Sequence, residues 1–173
     1  MGDCIMTDER NAEAVSARIR ALALAQERAA DLLDAAPAAD ALKGFRTAFE
    51  AAGLDASAFP ILSLDALAAQ FDVVYALEDE GTYLLQESRY VGDPLSVESA
   101  IKRTFDSMGF TGSNASFPFC HIANELRFLA FVLNACEDVR AAGDARGAMR
   151  FAGVAMNFLV DHLGYLHQMA LEC

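Results

Sequence analysis

Three histidines, at positions 121, 162 and 167, are the only imidazoles in this chain of 173 residues, so any histidine chemistry must be built from them. His121 follows Cys120 and precedes Glu125 by four residues, which puts a thiol, an imidazole and a carboxylate within one helical turn. Such a triplet is raw material for a nucleophile or a metal site. Adjacent helical residues point about 100° apart, however, so His121 does not activate Cys120 and a catalytic pair is not expected. The i, i+4 spacing of His121 and Glu125 predicts a simple side-chain ion pair at a helix start. His162 and His167 are five apart and share no face, which argues against a two-histidine metal site and leaves them at surface or groove positions. Phosphate-cradling glycine loops, a GxSxG elbow and an HExxH run are all missing. No catalytic residue, metal or cofactor is therefore expected.

Charge narrows the partners. The chain has 13 Lys and Arg against 25 Asp and Glu, a net charge of -12, and Lys43 and Lys102 are its only lysines. Binding a phosphate backbone or an anionic membrane surface needs clustered cations, so neither nucleic acid nor such a membrane is an expected partner. The acids gather between Ser63 and Ala100, where Asp65, Asp72, Glu78, Asp79, Glu80, Glu87, Asp93 and Glu98 face one base, Arg89. Such a run is commonly a solvated face, and its sharper reading is an acidic rim for a basic peptide.

The elements that position these residues read as helices. Hydrophobic residues make up 54% of the chain and the mean hydropathy is +0.23, enough for a sizeable core. Apolar stripes at helical spacing predict helices over residues 7–35, 38–52 and 64–77, the last capped by Ser63. Residues 78–94 read as a helix end followed by a loop. A fourth helix is capped by Ser96 and closed by Gly109. A fifth starts at Pro118 and carries Ile122, Leu126, Leu129, Val132 and Cys136, and Gly143-Asp144 separates it from a last helix over 145–171. On that last helix Met149, Ala152, Met156, Leu159, Leu163 and Leu166 form the expected buried stripe, and the last two helices are expected at the centre. The prediction is an all-α single domain over residues 1–173, one bundle of about six helices. Four dispersed cysteines (4, 120, 136, 173) are expected as free thiols. No secretory signal or span of ~20 apolar residues is visible, so a cytoplasmic protein without stable membrane insertion is expected.

The second half resembles the TorD/DmsD/NarJ family of cytoplasmic chaperones for molybdoenzymes. Residues 118–130, Pro-Phe-Cys-His-Ile-Ala-Asn-Glu-Leu-Arg-Phe-Leu-Ala, are similar to the family's P-x-D-H-I-x-x-E-L-x-F-x-A run. Phe158-Leu159 and His162-Leu163 resemble the F-L-x-x-H-L that follows a G-D break. Tyr83-Leu84-Leu85, Pro94 and Val97-Glu98-Ser99 resemble, more weakly, the Y-x-x-L-F and P-Y-E-S segments. The likeness spans residues 15–170, and the 118–130 block is its specific part.

What the resemblance implies is a TorD-like helical chaperone with no enzymatic activity. It would bind the twin-arginine signal peptide, or the apo form, of a molybdopterin-dependent reductase subunit, assisting cofactor insertion and delaying export until maturation. The implied peptide-binding positions are Tyr83, Val97, Glu98, Ser99, Cys120, His121 and Glu125. Cys120 stands where the motif has Asp and Val97 where it has an aromatic ring, so Glu98, Glu125 or the Glu78–Glu80 run would have to meet a signal-peptide Arg. The 21 residues between Ser99 and His121 are fewer than the family pattern leads one to expect, and the pattern continues beyond the point where residue 173 falls. Without those further helices, a homodimer or segment-swapped dimer is the expected way to cover the last two helices. The alternative from the residues alone is a helical dimerising adaptor that binds a partner helix through an apolar face.

Overall fold

The computed structural model describes residues 2–34, 38–58, 64–79 and 84–172. Among the described residues seven α-helices follow one another: α1 (Gly2–Asp34), α2 (Ala39–Ala51), α3 (Leu64–Asp79), α4 (Pro94–Met108), α5 (Ile122–Ala141), α6 (Ala145–His162) and α7 (Leu166–Glu172). Short 3-10 turns occupy Ala56–Ala58 and Glu87–Arg89. Among the described residues there is no strand, only an isolated antiparallel bridge between Gln86 and His121. The fold is therefore the expected all-α bundle.

Local chemistry explains most of the boundaries. Gly109 ends α4 with a left-handed backbone at φ 69°, a conformation that costs a glycine little. Asp144 opens α6 by accepting the Gly147 N–H at 2.8 Å. Helix α1 begins at Gly2, ahead of the expected residue 7, and three further boundaries move. The cap of α4 is Asp93 and not Ser96: the Asp93 carboxylate accepts the Ser96 N–H at 2.9 Å, and Pro94 suits the first turn. Helix α5 starts at Ile122 instead of Pro118, because the backbone groups of residues 119–121 are already bonded elsewhere. The expected last helix is broken, since Leu163 ends α6 and Tyr165 turns inward, 4% exposed, before α7 begins.

Helix α5 is the axis of the molecule, packing against α1 on one side and α6 on the other. Its Phe128 stacks on Phe105 of α4, with ring centroids 4.7 Å apart, and meets Phe158 of α6 at 4.6 Å. Phe110 closes the cluster edge-on to Phe105 at 5.0 Å. Burial of each such ring contributes roughly 1.5–3 kcal/mol. Towards α1, the contact is made by small residues, Ala23 and Ala30, and by ionic ties at the rim. Arg127 pairs with Asp34 and Asp31, while Glu137, 1% exposed, is held by Arg140 at 2.7 Å and by Ser16. The Arg140 hydrogen bond brings the Glu137 carboxyl down to about 2.

Helix α6 does not lie at the centre as expected. Its buried residues are Gly147, Ala148, Ala155 and Phe158, with Phe151 half-buried. Four members of the expected buried stripe, Met149, Ala152, Met156 and Leu159, face solvent, while Leu163 is buried and Leu166 half-buried. A helix apolar on two faces offers periodicity for both, and the face carrying the larger rings wins the core.

Candidate functional site

The chain between α4 and α5 is tied down by side chains that reach it from three directions. Glu98, one turn into α4, accepts the backbone N–H groups of Phe119 at 2.7 Å and Cys120 at 2.9 Å. The Glu87 N–H donates to the Cys120 carbonyl and the Ile122 N–H to the Leu85 carbonyl, both at 2.9 Å. Asn124, fully buried in the first turn of α5, accepts the Asn114 N–H at 2.7 Å. Its amide nitrogen donates to the carbonyls of Asn114, Phe117 and Pro118. The Pro118 and Cys120 carbonyls and the Ile122 N–H, which a helix from Pro118 would need for its first turn, are thus spent on Asn124, Glu87 and Leu85, which is why α5 waits until Ile122.

His121 is the N-cap of α5. Its Nδ1 accepts the Ala123 N–H at 3.2 Å, and its ring stacks on Phe117 with centroids 4.1 Å apart. Burial pushes its pKa down to about 4; the Asp34 carboxylate opposes the shift and the Arg127 guanidinium adds to it. The expected His121–Glu125 ion pair does not form. Glu125 turns instead to the Tyr165 hydroxyl, which donates to its Oε2 at 3.1 Å.

Beside it stands a second buried acid. Glu87 is 2% exposed, and His162 at the end of α6 donates from Nδ1 to its carboxylate at 3.1 Å. Burial first, and then the charge of Glu87, holds the Glu125 carboxyl well above the usual carboxylate range. Oε1 of Glu125 has no hydrogen-bond partner, and burial and the negative charge of Glu87 both favour the protonated form, so a neutral acid is the form that fits. Cys120 completes the cluster with its Sγ 3.6 Å from Ser88 Oγ. Burial pushes its thiol up to about 12, so it is not a nucleophile at neutral pH.

Glu98, Cys120, His121 and Glu125 are thus brought to one seam between α4, the Glu87–Arg89 turn, α5 and the end of α6. Val97 is half-buried at its edge against the core. Ser99 is exposed, and its hydroxyl donates to the Leu95 carbonyl at 2.6 Å within its own helix. Tyr83 and Glu80 lie outside the described residues. The acidic segment is not one continuous rim: Glu87 and Glu98 are consumed inside the seam, and Asp93 caps a helix. His162 is partly buried in the seam, whereas His167 is exposed and donates to the Gly164 carbonyl at 2.6 Å. Asn124 and Tyr165 carry no signal in the sequence, and Glu87 stands out there only as a member of the acidic run. A buried tyrosine needs a hydroxyl partner, but nothing local names Glu125, 40 residues away, as that partner.

Compared with known proteins, the chain matches no protein-family model, no curated protein and no solved structure. The site must be read from its own geometry. Among the described residues no group of three or more His, Cys, Asp or Glu is arranged to hold a metal ion, and no helix is long and apolar enough to cross a membrane. Cys120 and Cys136 are buried free thiols.

An open groove of about 220 Å³ adjoins the seam between α4 and α6. Thr104, Ser107 and Met108 form one wall, Val154, Asn157 and Asp161 the other, and Phe158 and His162 also line it. The groove offers an apolar surface, hydroxyl and amide groups, and a carboxylate. It suits one or two side chains of an extended segment, a cationic one included.

Proposed function

We propose that the chain is a helical chaperone for a molybdopterin-dependent reductase subunit, binding its twin-arginine signal peptide or its apo form. In this reading it assists cofactor insertion and delays export until maturation. The observation that carries the reading is convergence. The segments whose residues resemble the chaperone family are well separated in sequence, yet Glu98 bonds the 119–120 backbone and Glu87 joins the Cys120 carbonyl to His162. Tyr165, just beyond the second motif, meets Glu125 of the first.

The buried Cys120, His121 and Glu125 of that seam, with the partly buried Glu98, act as the rigid back wall. Val97 and Ser99 belong to its outer edge, and the adjoining groove receives the peptide. Asp161 is the exposed carboxylate there for a leader arginine, a role that Cys120 cannot take in place of the motif Asp. Binding by an acidic protein of a basic, then apolar, segment also agrees with the net charge of -12.

The test is calorimetric titration of the folded chain with twin-arginine leaders from reductase subunits encoded beside its gene, and with the apo-subunits themselves. Micromolar binding that falls at least tenfold on Arg-Arg→Ala-Ala replacement in the leader, and likewise with Asp161→Asn, is the expected result. Absence of binding to every leader and apo-subunit up to about 100 µM sinks the reading. The adaptor alternative draws on a different feature, the outward apolar face of α6.

A further inference from the structure

Helix α6 presents to solvent a face that is apolar along its middle. Met149, Met156 and Val160 are 76%, 61% and 64% exposed, and with Gly153 they recur at the three- and four-residue spacing of one stripe. Together they expose on the order of a few hundred Å² of apolar surface, about as much as a monomer ordinarily leaves uncovered in one patch.

The charges beside this stripe run against the helix. Arg146 and Arg150 sit in its first two turns and Asp161 in its last, all exposed. The helix dipole favours the opposite order, acids at the start and bases at the end. Among the described residues none of the three forms an ion pair. The arrangement is unfavourable for one helix and complementary for two. A two-fold axis perpendicular to α6 near Gly153 places Arg146 opposite Asp161 of a second copy, Arg150 opposite Asn157, and Met149 beside Met156. Because such an axis keeps each flank on its own side, the polar flank meets the polar flank and the methionines meet methionines. A Cβ built on Gly153 would meet nothing within 4 Å, so the centre is free for close approach.

We propose that a second copy of this chain docks antiparallel on the outer face of α6, forming a closed two-fold dimer. The occupant is a second copy because the stripe carries both signs in mirrored order, so the surface complements itself. A patch of this size lies at the low end of specific interfaces, so the dimer is weak, in the micromolar range. The long-range repulsion between two acidic copies is screened at 0.15 M salt. The inference does not rest on the chaperone reading. Since Asp161 also lines the groove, the measurement is made without peptide.

The test is sedimentation equilibrium from about 1 to 500 µM at 0.15 M salt, with helicity and melting followed by circular dichroism. Wild-type mass rises with concentration from the 18.6 kDa monomer towards twice that value and stops there. Arg146→Asp and Asp161→Arg each weaken association tenfold or more, the double reversal restores it, and Met156→Lys abolishes it, with all four variants folded. A mass fixed at the monomer value up to 500 µM overturns the proposal. So does growth beyond the dimer, or a dimer that the single reversals leave unchanged.

Discussion

The N-terminal end of α5 and the outer face of α6 solve opposite problems. The α5 end buries polar groups, Glu87, His121, Asn124 and Glu125, and gives nearly every one of their atoms a partner. The α6 face leaves apolar groups in water, with flanking charges that have no partner among the described residues. A region whose polar atoms are satisfied within the chain is finished as it stands, whereas one whose apolar and charged groups are both unsatisfied is finished only by something outside it. The seam is therefore read as scaffold and the surface beside it as the place of binding.

The contrast breaks first at Glu98. Its carboxylate serves two backbone donors that lie at a closed seam, and leaving both without acceptors costs about 3 kcal/mol. Glu98→Ala should lower the urea midpoint accordingly at unchanged m-value. An unaltered midpoint would mean that the 119–120 backbone is as open as the α6 face.

Acid attacks the same seam through His121. The imidazole titrates at 6.5 in the unfolded chain and at about 4 in the folded one. Between those values the unfolded chain binds the extra proton, so stability falls on acidification, by at most ~3 kcal/mol. Protonation of Nδ1 would also remove the acceptor for the Ala123 N–H. His121→Asn keeps a capping oxygen without a titrating nitrogen. Denaturation at pH 7, 5.5 and 4 should then show a shallower loss for the variant than for the wild type, and equal slopes would place the titration elsewhere.

The two regions also differ in how far the sequence discloses them. Gly109 and Gly143-Asp144 mark breaks that depend on local backbone chemistry, and both lie where the pattern places them. The start of α5 was misplaced at Pro118 because a proline favours the first turn, while the competing bonds come from Glu98, Glu87 and Asn124, which only the tertiary fold brings there. His121 and Glu125 were legible as notable residues, but their partners were not: i, i+4 spacing pairs them, and burial sends one to its own helix cap and the other to Tyr165. On α6 the period was legible and its direction was not, since Met149, Met156 and Leu159 compete with Phe151, Ala155 and Phe158 for the same core. Ring size decides that competition, and periodicity does not measure it.

A smaller effect separates the two acids of the seam. The Glu125 carboxyl titrates well above its ordinary value in the folded chain, so it contributes fully below about pH 4.5, and stability is lost as pH rises while the unfolded chain ionises and the folded one does not. Glu125→Gln keeps an oxygen for the Tyr165 hydroxyl and supplies a fixed donor towards Glu87. The variant should be more stable than the wild type by roughly 1 kcal/mol at pH 8, with the difference shrinking towards pH 4.5. Thermal melts across that range test it. A constant difference would mean that Glu125 does not carry the seam's proton.

The smallest effect on folding belongs to the open side. Met156 is 61% exposed and touches no closed layer, so Met156→Ser should change unfolding free energy by no more than about 0.5 kcal/mol when measured at a few micromolar. At hundreds of micromolar the wild type gains apparent stability by mass action and the variant does not, because only the folded chain presents the α6 face to a second copy. The midpoint of the wild type should therefore rise with concentration while that of the variant stays fixed. A variant destabilised equally at both concentrations would show that Met156 packs within its own chain. The outer face of α6 would then be a second closed region, and the difference between the two would disappear.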